Sequence, residues 1–167
     1  TDAERHTRKD LLESNPGLII LRAYTKMYAV PGVRFGWCMT ADAALIEKLY
    51  HAGQPWNVSV IAQACAVAAA NEPDWAAVTA KRIAEERRFL SDGLAACGLT
   101  VFLGEANFLL FRSNDTGLHE KLAEHGIMIR NCDNYRGLSA GYYRVAVKTR
   151  EASKCLLNAI KLIIENG

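Results

Sequence analysis

The stretch Arg22-Ala-Tyr-Thr-Lys26-Met-Tyr-Ala-Val-Pro31-Gly32-Val-Arg34-Phe-Gly36 places one lysine eight residues before an arginine, across a Pro-Gly turn. Apolar runs at residues 18–21 and 33–39 flank it, so we expect two buried strands joined by a loop that carries Lys26. The stem of this lysine would lie among apolar side chains, where desolvation favours the neutral, nucleophilic amine. Such a lysine can form a Schiff base. The alternative is a surface lysine and a surface arginine beside an ordinary turn.

At these residues the sequence resembles the fold-type I pyridoxal-phosphate enzymes of the class I and II aminotransferase superfamily. The motif consists of Thr25-Lys26, Pro31-Gly32 and Arg34-x-Gly36. The resemblance implies pyridoxal 5'-phosphate as cofactor, with Lys26 as the catalytic Schiff-base lysine and with Arg34 and Thr25 as ligands of the cofactor phosphate. A guanidinium can hold a phosphate through two parallel hydrogen bonds. Ala23 departs from the pattern, because many relatives carry a phosphate-binding hydroxyl there, so phosphate affinity is expected to be weaker or to be met elsewhere.

A second motif begins at Arg130 and reads Arg-Asn-Cys-Asp-Asn-Tyr-Arg-Gly-Leu, and Arg144 follows it. The resemblance implies that Arg144 holds the substrate α-carboxylate and that Arg130 holds a substrate phosphate, as in histidinol-phosphate aminotransferases and threonine-phosphate decarboxylases. The motif looks closer to the decarboxylases, which serve cobalamin biosynthesis. Alternation along residues 142–147 places Arg144 opposite Val145 and Val147, and Arg130 would lie beside it if the two strands pair.

Other polar residues are weaker candidates. Arg136 lies within a loop, where an exposed arginine is ordinary. Asn107 is expected to order the start of a strand rather than to line a site. The histidines share no spacing, and we expect all four on the surface: His6, His51, His119 and His125.

The composition is that of a globular protein, with 50% hydrophobic residues, 23% charged residues and a formal net charge of +2 over 167 residues. This weak charge gives no electrostatic reason to expect a nucleic acid or an anionic membrane as partner. No apolar run reaches the roughly 18 residues of a membrane span. The cysteines are odd in number and without a CxxC pair, so we expect reduced, buried thiols of a cytoplasmic protein and no metal site: Cys38, Cys65, Cys97, Cys132 and Cys155.

The expected fold class is α/β, with residues 1–80 as the end of a large cofactor-binding domain and residues 81–167 as a small C-terminal α+β domain. Residues 1–14 are expected to form a short exposed helix or a mobile terminus. Helices are expected from Asp42 to about His51, at 59–72, and at 74–96, and the second of these is so uniformly apolar that it should be buried. The last part should form a mostly antiparallel sheet and two helices: strands at 99–103, 107–112, 126–131 and 142–147, and helices at 116–125 and 150–165.

The resemblance covers residues 17–165 and only the C-terminal half of a family member, and the chain opens on Thr1, as if partway through a larger protein. It implies a cytoplasmic homodimeric enzyme acting on a phosphorylated amino acid or amino alcohol, by transamination or by decarboxylation. We expect the chain alone to be inactive. Two alternatives stay open: an aminotransferase-like sensor domain of a transcription regulator, and a free-standing α+β binding module.

Overall fold

A computed structural model of the chain describes residues 7–165. It divides into two compact units, the first ending at Thr79 and the second beginning at Ala80. The expected terminal helix is reduced to a short 3-10 turn, Lys9–Leu11, and residues 1–6 lie outside the described part.

The first unit contains a two-stranded antiparallel sheet and two helices. Strand β1 (Ile20–Ala23) pairs with β2 (Gly36–Met39), with Ile20 opposite Met39 and Ala23 opposite Gly36. Helix α1 (Ala43–Ala52) begins at Asp42, whose side chain accepts a hydrogen bond from the Leu45 amide, as a helix N-cap should. Helix α2 (Val60–Ala70) begins in the same way at Ser59. Both predicted helices are therefore confirmed.

Burial in the first unit differs from expectation. The side chain of Leu21 in β1 is 78% exposed, and that of Ile61 in α2 is 70% exposed. Only Ala62 is buried in α2. The prediction of two buried strands and a buried helix is wrong for the described residues, because their own unit does not provide enough layers to cover all sides of a helix that is apolar all round.

Helix α3 (Trp75–Ala96) begins in the first unit and ends in the second. In the second unit, β3 (Thr100–Phe102), β4 (Phe108–Arg112), β5 (Arg130–Asn131) and β6 (Tyr142–Ala146) form a sheet in the order β3-β4-β6-β5. All three pairings are antiparallel, as predicted. Helix α4 (Leu118–Glu124) and helix α5 (Arg150–Glu165) complete the unit.

The core of the second unit lies on one face of this sheet. Alternate residues of β4 and β6, including Leu109, Phe111 and Tyr143, are buried there. Leu99, between α3 and β3, belongs to the same core cluster, and the helices contribute the other members: Leu90, Leu94, Leu118, Leu122, Leu156, Leu157 and Ile160. The opposite face carries the intervening residues, and Arg144 is among them.

Two further expectations fail, one on a strand of this unit and one on the burial of the cysteines. The strand predicted at 126–131 is reduced to Arg130 and Asn131, because residues 127–129 do not pair with β6 and instead line a cavity of about 250 Å³. All five cysteines are free, but Cys132 alone is fully buried and Cys155 is exposed.

No helix within residues 7–165 is long and apolar enough to cross a membrane.

Candidate functional site

The lysine loop, residues 24–35, follows β1 and is ordered by its own backbone and aromatic rings. The amide of Tyr28 donates to the carbonyl of Tyr24 at 3.1 Å, and the amide of Ala29 donates to the carbonyl of Lys26 at 3.2 Å. The ring of Tyr24 lies 4.6 Å from that of Tyr28 and 5.4 Å from that of Phe35, measured between centroids. These contacts fix the backbone from which the Lys26 side chain projects.

Arg34 holds an uncommon backbone conformation at the end of this loop. It closes the 3-10 turn Pro31–Val33 with φ +56° and ψ +50°, and its Nη1 donates to the carbonyl of Pro31 at 3.2 Å. Ala29 also has a positive φ, +53°. Left-handed backbone costs a residue with a Cβ about 1–2 kcal/mol. Such strain occurs most often at functional sites.

Side-chain exposure in the loop corrects one expectation. Lys26 and Arg34 are exposed, and Thr25 is half-buried. The predicted burial of the lysine stem is therefore wrong within the described residues, because the flanking strands are themselves partly exposed. The amine and the guanidinium are both open to a ligand.

A contact that sequence reasoning missed joins the lysine loop to the first turn of α3. The indole Nε1 of Trp75 donates to the carbonyl of Met27 at 2.9 Å. The two residues are 48 positions apart, so no local pattern indicates the contact. The only sequence signal is general, since a tryptophan N–H seeks an acceptor when its ring is partly covered.

The second group of predicted residues lies on the open face of the sheet in the second unit. Strands β5 and β6 pair so that Arg130 stands directly opposite Arg144. The guanidinium of Arg144 lies 5.0 Å above the centroid of the Phe108 ring. Like charges directly opposite each other in a sheet are destabilising. Neither guanidinium has an ion pair with an acidic residue among residues 7–165, so an anionic ligand would relieve the repulsion.

The loop after β5 returns toward Arg130. Nη2 of Arg130 lies 3.4 Å from Oδ1 of Asn134, and its guanidinium lies 5.8 Å from the centroid of the Tyr135 ring. The loop is anchored at Cys132, whose amide donates to the carbonyl of Tyr142 at 2.9 Å. Burial raises the pKa of the Cys132 thiol, against the opposite effect of Arg144 and Arg130. This cysteine is therefore a structural anchor beside the arginines rather than a thiolate.

The histidine prediction needs one correction. Nδ1 of His119 is buried and has no hydrogen-bond partner among the described residues, and its ring lies 5.7 Å from that of Tyr143. Its Nε2 lies 3.5 Å from Nδ2 of Asn131. His119 is half-buried rather than exposed, because its ring lies against Tyr143 of the core. His51 and His125 are exposed as predicted, and His6 lies outside the described residues.

Two of the weaker candidates lie outside the strands, and the role of the Asn107 side chain in ordering a strand start stays a prediction. The backbone carbonyl of Asn107 accepts from the amide of Val147 at 2.9 Å, at the start of β4. Arg136 is exposed in its loop.

Within residues 7–165 no group of three or more histidine, cysteine, aspartate or glutamate side chains could hold a metal ion. Three of the five predicted site residues lie in the first unit and two in the second.

Comparison with known proteins identifies the class to which this fold and these residues belong. The sequence profile described as "Aminotransferase class I and II" matches residues 2–160. The chain belongs to this family and has its α/β fold.

Particular relatives narrow the comparison further. The chain is 35% identical over 156 residues to the threonine-phosphate decarboxylase of Salmonella typhimurium, covering 92% of this chain and 43% of that protein. It is 34% identical over 158 residues to histidinol-phosphate aminotransferase 1 of Carboxydothermus hydrogenoformans, covering 93% of this chain and 44% of that protein. The crystal structure of the histidinol-phosphate aminotransferase from Clostridium acetobutylicum superposes with a TM-score of 0.89 at 28% identity, covering 96% of this chain and 50% of that one. The chain thus spans about half the length of these relatives.

Proposed function

We propose that this chain is the C-terminal half of a pyridoxal-phosphate-dependent enzyme that acts on a phosphorylated amino acid or amino alcohol. One observation carries the substrate class: two arginines stand opposite each other on neighbouring strands, without acidic partners among residues 7–165. Family membership and the relatives named above support the same conclusion.

The residues of the lysine loop fit the cofactor by their chemistry. Lys26 offers an exposed primary amine, Arg34 an exposed guanidinium and Thr25 a hydroxyl. When bound, pyridoxal phosphate supplies an aldehyde that condenses with an amine and a ring that accepts negative charge from the substrate α-carbon. Lys26 would hold the aldehyde end, while Arg34 and Thr25 would hold the phosphate through charge-assisted hydrogen bonds. The strained backbone of Arg34 supports a functional role for this residue, because such strain clusters at functional sites.

Lys26 would have a second task during the reaction. Once the substrate amine takes its place, Nζ is free to carry a proton to or from the substrate α-carbon. A proton removed there leads to transamination, whereas a proton delivered there after carboxylate loss completes a decarboxylation. Because Lys26 has the same position in both reactions, only an activity assay can distinguish transamination from decarboxylation.

With a phosphorylated amino acid as substrate, each of the two arginines would bind a different anionic group. Arg144, whose guanidinium rests on the Phe108 ring, would bind the carboxylate, because a planar fork matches two carboxylate oxygens. Arg130 would add the second positive charge that a phosphate dianion favours. Its contacts with Asn134 and Tyr135 leave other N–H groups of the guanidinium for the ligand.

Between the two candidate reactions, the Arg-x-Cys-x-Asn-Tyr-x-Gly-Leu motif favours decarboxylation. The whole protein would be assayed with threonine phosphate for release of carbon dioxide, and with histidinol phosphate and a 2-oxo acid for transfer of the amino group. Threonine and histidinol serve as unphosphorylated controls. Turnover of the unphosphorylated compounds at equal efficiency would contradict the proposed substrate class.

The cofactor assignment has its own test, which requires no substrate. The whole protein is incubated with pyridoxal phosphate, reduced with borohydride and digested, and the modified lysine is located by mass spectrometry. We expect the covalent adduct on Lys26, and a Lys26→Ala variant should lose it. An adduct on another lysine, or none, would refute the assignment.

The remaining expectations are proposals of the same kind. We propose a homodimer, and the exposed apolar side chains of α2, among them Val60, Ile61 and Val67, would be covered by the rest of the whole protein or by the second subunit. Because the proposed substrates are small metabolites, we propose that the whole protein is cytoplasmic. The comparisons give no support to the regulator alternative.

A further inference from the structure

We propose that Trp75 is a positioning residue for Lys26, acting through the carbonyl of Met27. This inference rests on the proposed role of Lys26. The indole Nε1 of Trp75 donates to that carbonyl at 2.9 Å, which is a good geometry for an N–H···O hydrogen bond. The Met27 carbonyl belongs to the peptide unit that joins Met27 to Tyr28, so the bond restrains the backbone one peptide beyond Lys26.

The lysine needs such a restraint because its own side chain provides none. Lys26 is exposed, and its amine makes no hydrogen bond or ion pair with any of residues 7–165. Because the lysine side chain is four carbons long, a small rotation of the backbone displaces Nζ by a larger distance. The placement of Nζ therefore depends on how firmly the peptides on either side of Lys26 are held.

Several other contacts also hold the lysine loop. The Tyr24 ring packs against Tyr28 and Phe35 at the base of the loop, and α2 contacts the Pro31–Val33 turn beyond it. Ala29, with φ +53°, lies in a conformation that the chain adopts only under constraint. The amide of Ala29 holds the Lys26 carbonyl from within the loop, and the Trp75 bond ties the adjoining Met27–Tyr28 peptide to an element distant in sequence.

The structure also argues against a purely packing role for Trp75. Trp75 is 47% exposed and is not among the buried residues of the core. Its helix would tolerate most other residues at this position, because Trp75 is the first residue of α3. What distinguishes the tryptophan is its N–H donor, which a phenylalanine lacks.

The test is the Trp75→Phe variant of the whole protein, which keeps an aromatic ring and removes only the donor. Trp56→Phe is the matched control, because the Trp56 side chain is 97% exposed in this chain. The first readout requires no cofactor: the rate at which trypsin cleaves the Lys26–Met27 bond, measured by mass spectrometry. Loss of one hydrogen bond should accelerate this cleavage about fivefold, while Trp56→Phe should leave it unchanged.

The second readout is the rate of borohydride-trapped adduct formation between pyridoxal phosphate and Lys26. We expect Trp75→Phe to slow trapping by a similar factor with little change in thermal stability. Equal cleavage and equal trapping in Trp75→Phe and Trp56→Phe would overturn the positioning role while leaving the role of Lys26 intact. Absence of a Lys26 adduct in the unmodified protein would overturn the proposed function, and with it the purpose assigned to Trp75.

Discussion

Removing the guanidinium of Arg130 should change which substrates the whole enzyme prefers. In the structure Arg130 stands opposite Arg144, and only Arg144 is assigned to the carboxylate that all amino-acid substrates share. Arg130→Ala should therefore weaken the turnover of phosphorylated substrates and leave that of unphosphorylated ones nearly unchanged. Arg144→Lys keeps the charge but loses the planar fork, and should weaken both.

The magnitude follows from the bonds that are lost. A hydrogen bond between charged groups contributes about 1.5–3 kcal/mol, so kcat/KM for the phosphorylated substrate should fall roughly ten- to a hundredfold. Stability should move in the opposite direction, because the substitution removes one of two like charges that face each other across the sheet. That relief is about 0.2–1 kcal/mol.

The assay compares kcat/KM for phosphorylated and unphosphorylated forms of one compound. Arg136→Ala is the control, since Arg136 lies six residues further along the same loop and is exposed. It should not change the ratio of the two values. Equal losses for both substrate forms in Arg130→Ala would refute the phosphate role and leave Arg130 as an arginine at the edge of a sheet.

Two further predictions concern stability. Gly141→Ala should lower the free energy of unfolding by about 2–3 kcal/mol, because φ is +93° and an added Cβ would lie 2.6 Å from the carbonyl oxygen of Ser113. Gly137→Ala is the control, because φ is +88° there but nothing lies within 4 Å of an added Cβ. Urea denaturation should show a smaller loss of about 1 kcal/mol for this control. The hydrogen bonds from Arg150, at 2.8 and 3.0 Å, lower the pKa of the Glu86 carboxyl from its ordinary value of 4.5. A lowered folded-state pKa stabilises the fold above pH 4.5 and loses that effect as the pH falls through the lowered value, so the difference in melting temperature between the unmodified protein and Glu86→Gln should narrow below pH 4.5. A difference that stays constant down to pH 2 would contradict this linkage.

Much of the architecture could be predicted from local sequence. Asp42 and Ser59 mark the starts of α1 and α2, because their side chains accept the amide hydrogen bonds that a helix start leaves unpaired. Alternation along β6 correctly separates Tyr143, in the core, from Arg144 on the opposite face. Short-range patterns suffice here because the interactions that decide these features lie within a few residues.

The sequence alone indicates part of the predicted site, and the pairing of strands decides the rest. Lys26 and Arg34 belong to one short motif, so the sequence alone indicates that they lie in one loop. The facing of Arg130 and Arg144 could be expected only on condition that their strands pair. The pairing itself depends on register, which the intervening loop and the buried Cys132 help to set.

Only the tertiary structure decided the rest. It brought Trp75 to the carbonyl of Met27 across 48 positions, turned His119 toward Tyr143, and left Ile61 of the apolar helix α2 exposed. The hydrophobicity of a residue indicates that its burial is favourable, but it does not indicate which surface is available to cover it. Contacts between residues far apart in sequence depend on how whole elements pack, and that information is not contained in any local window of residues.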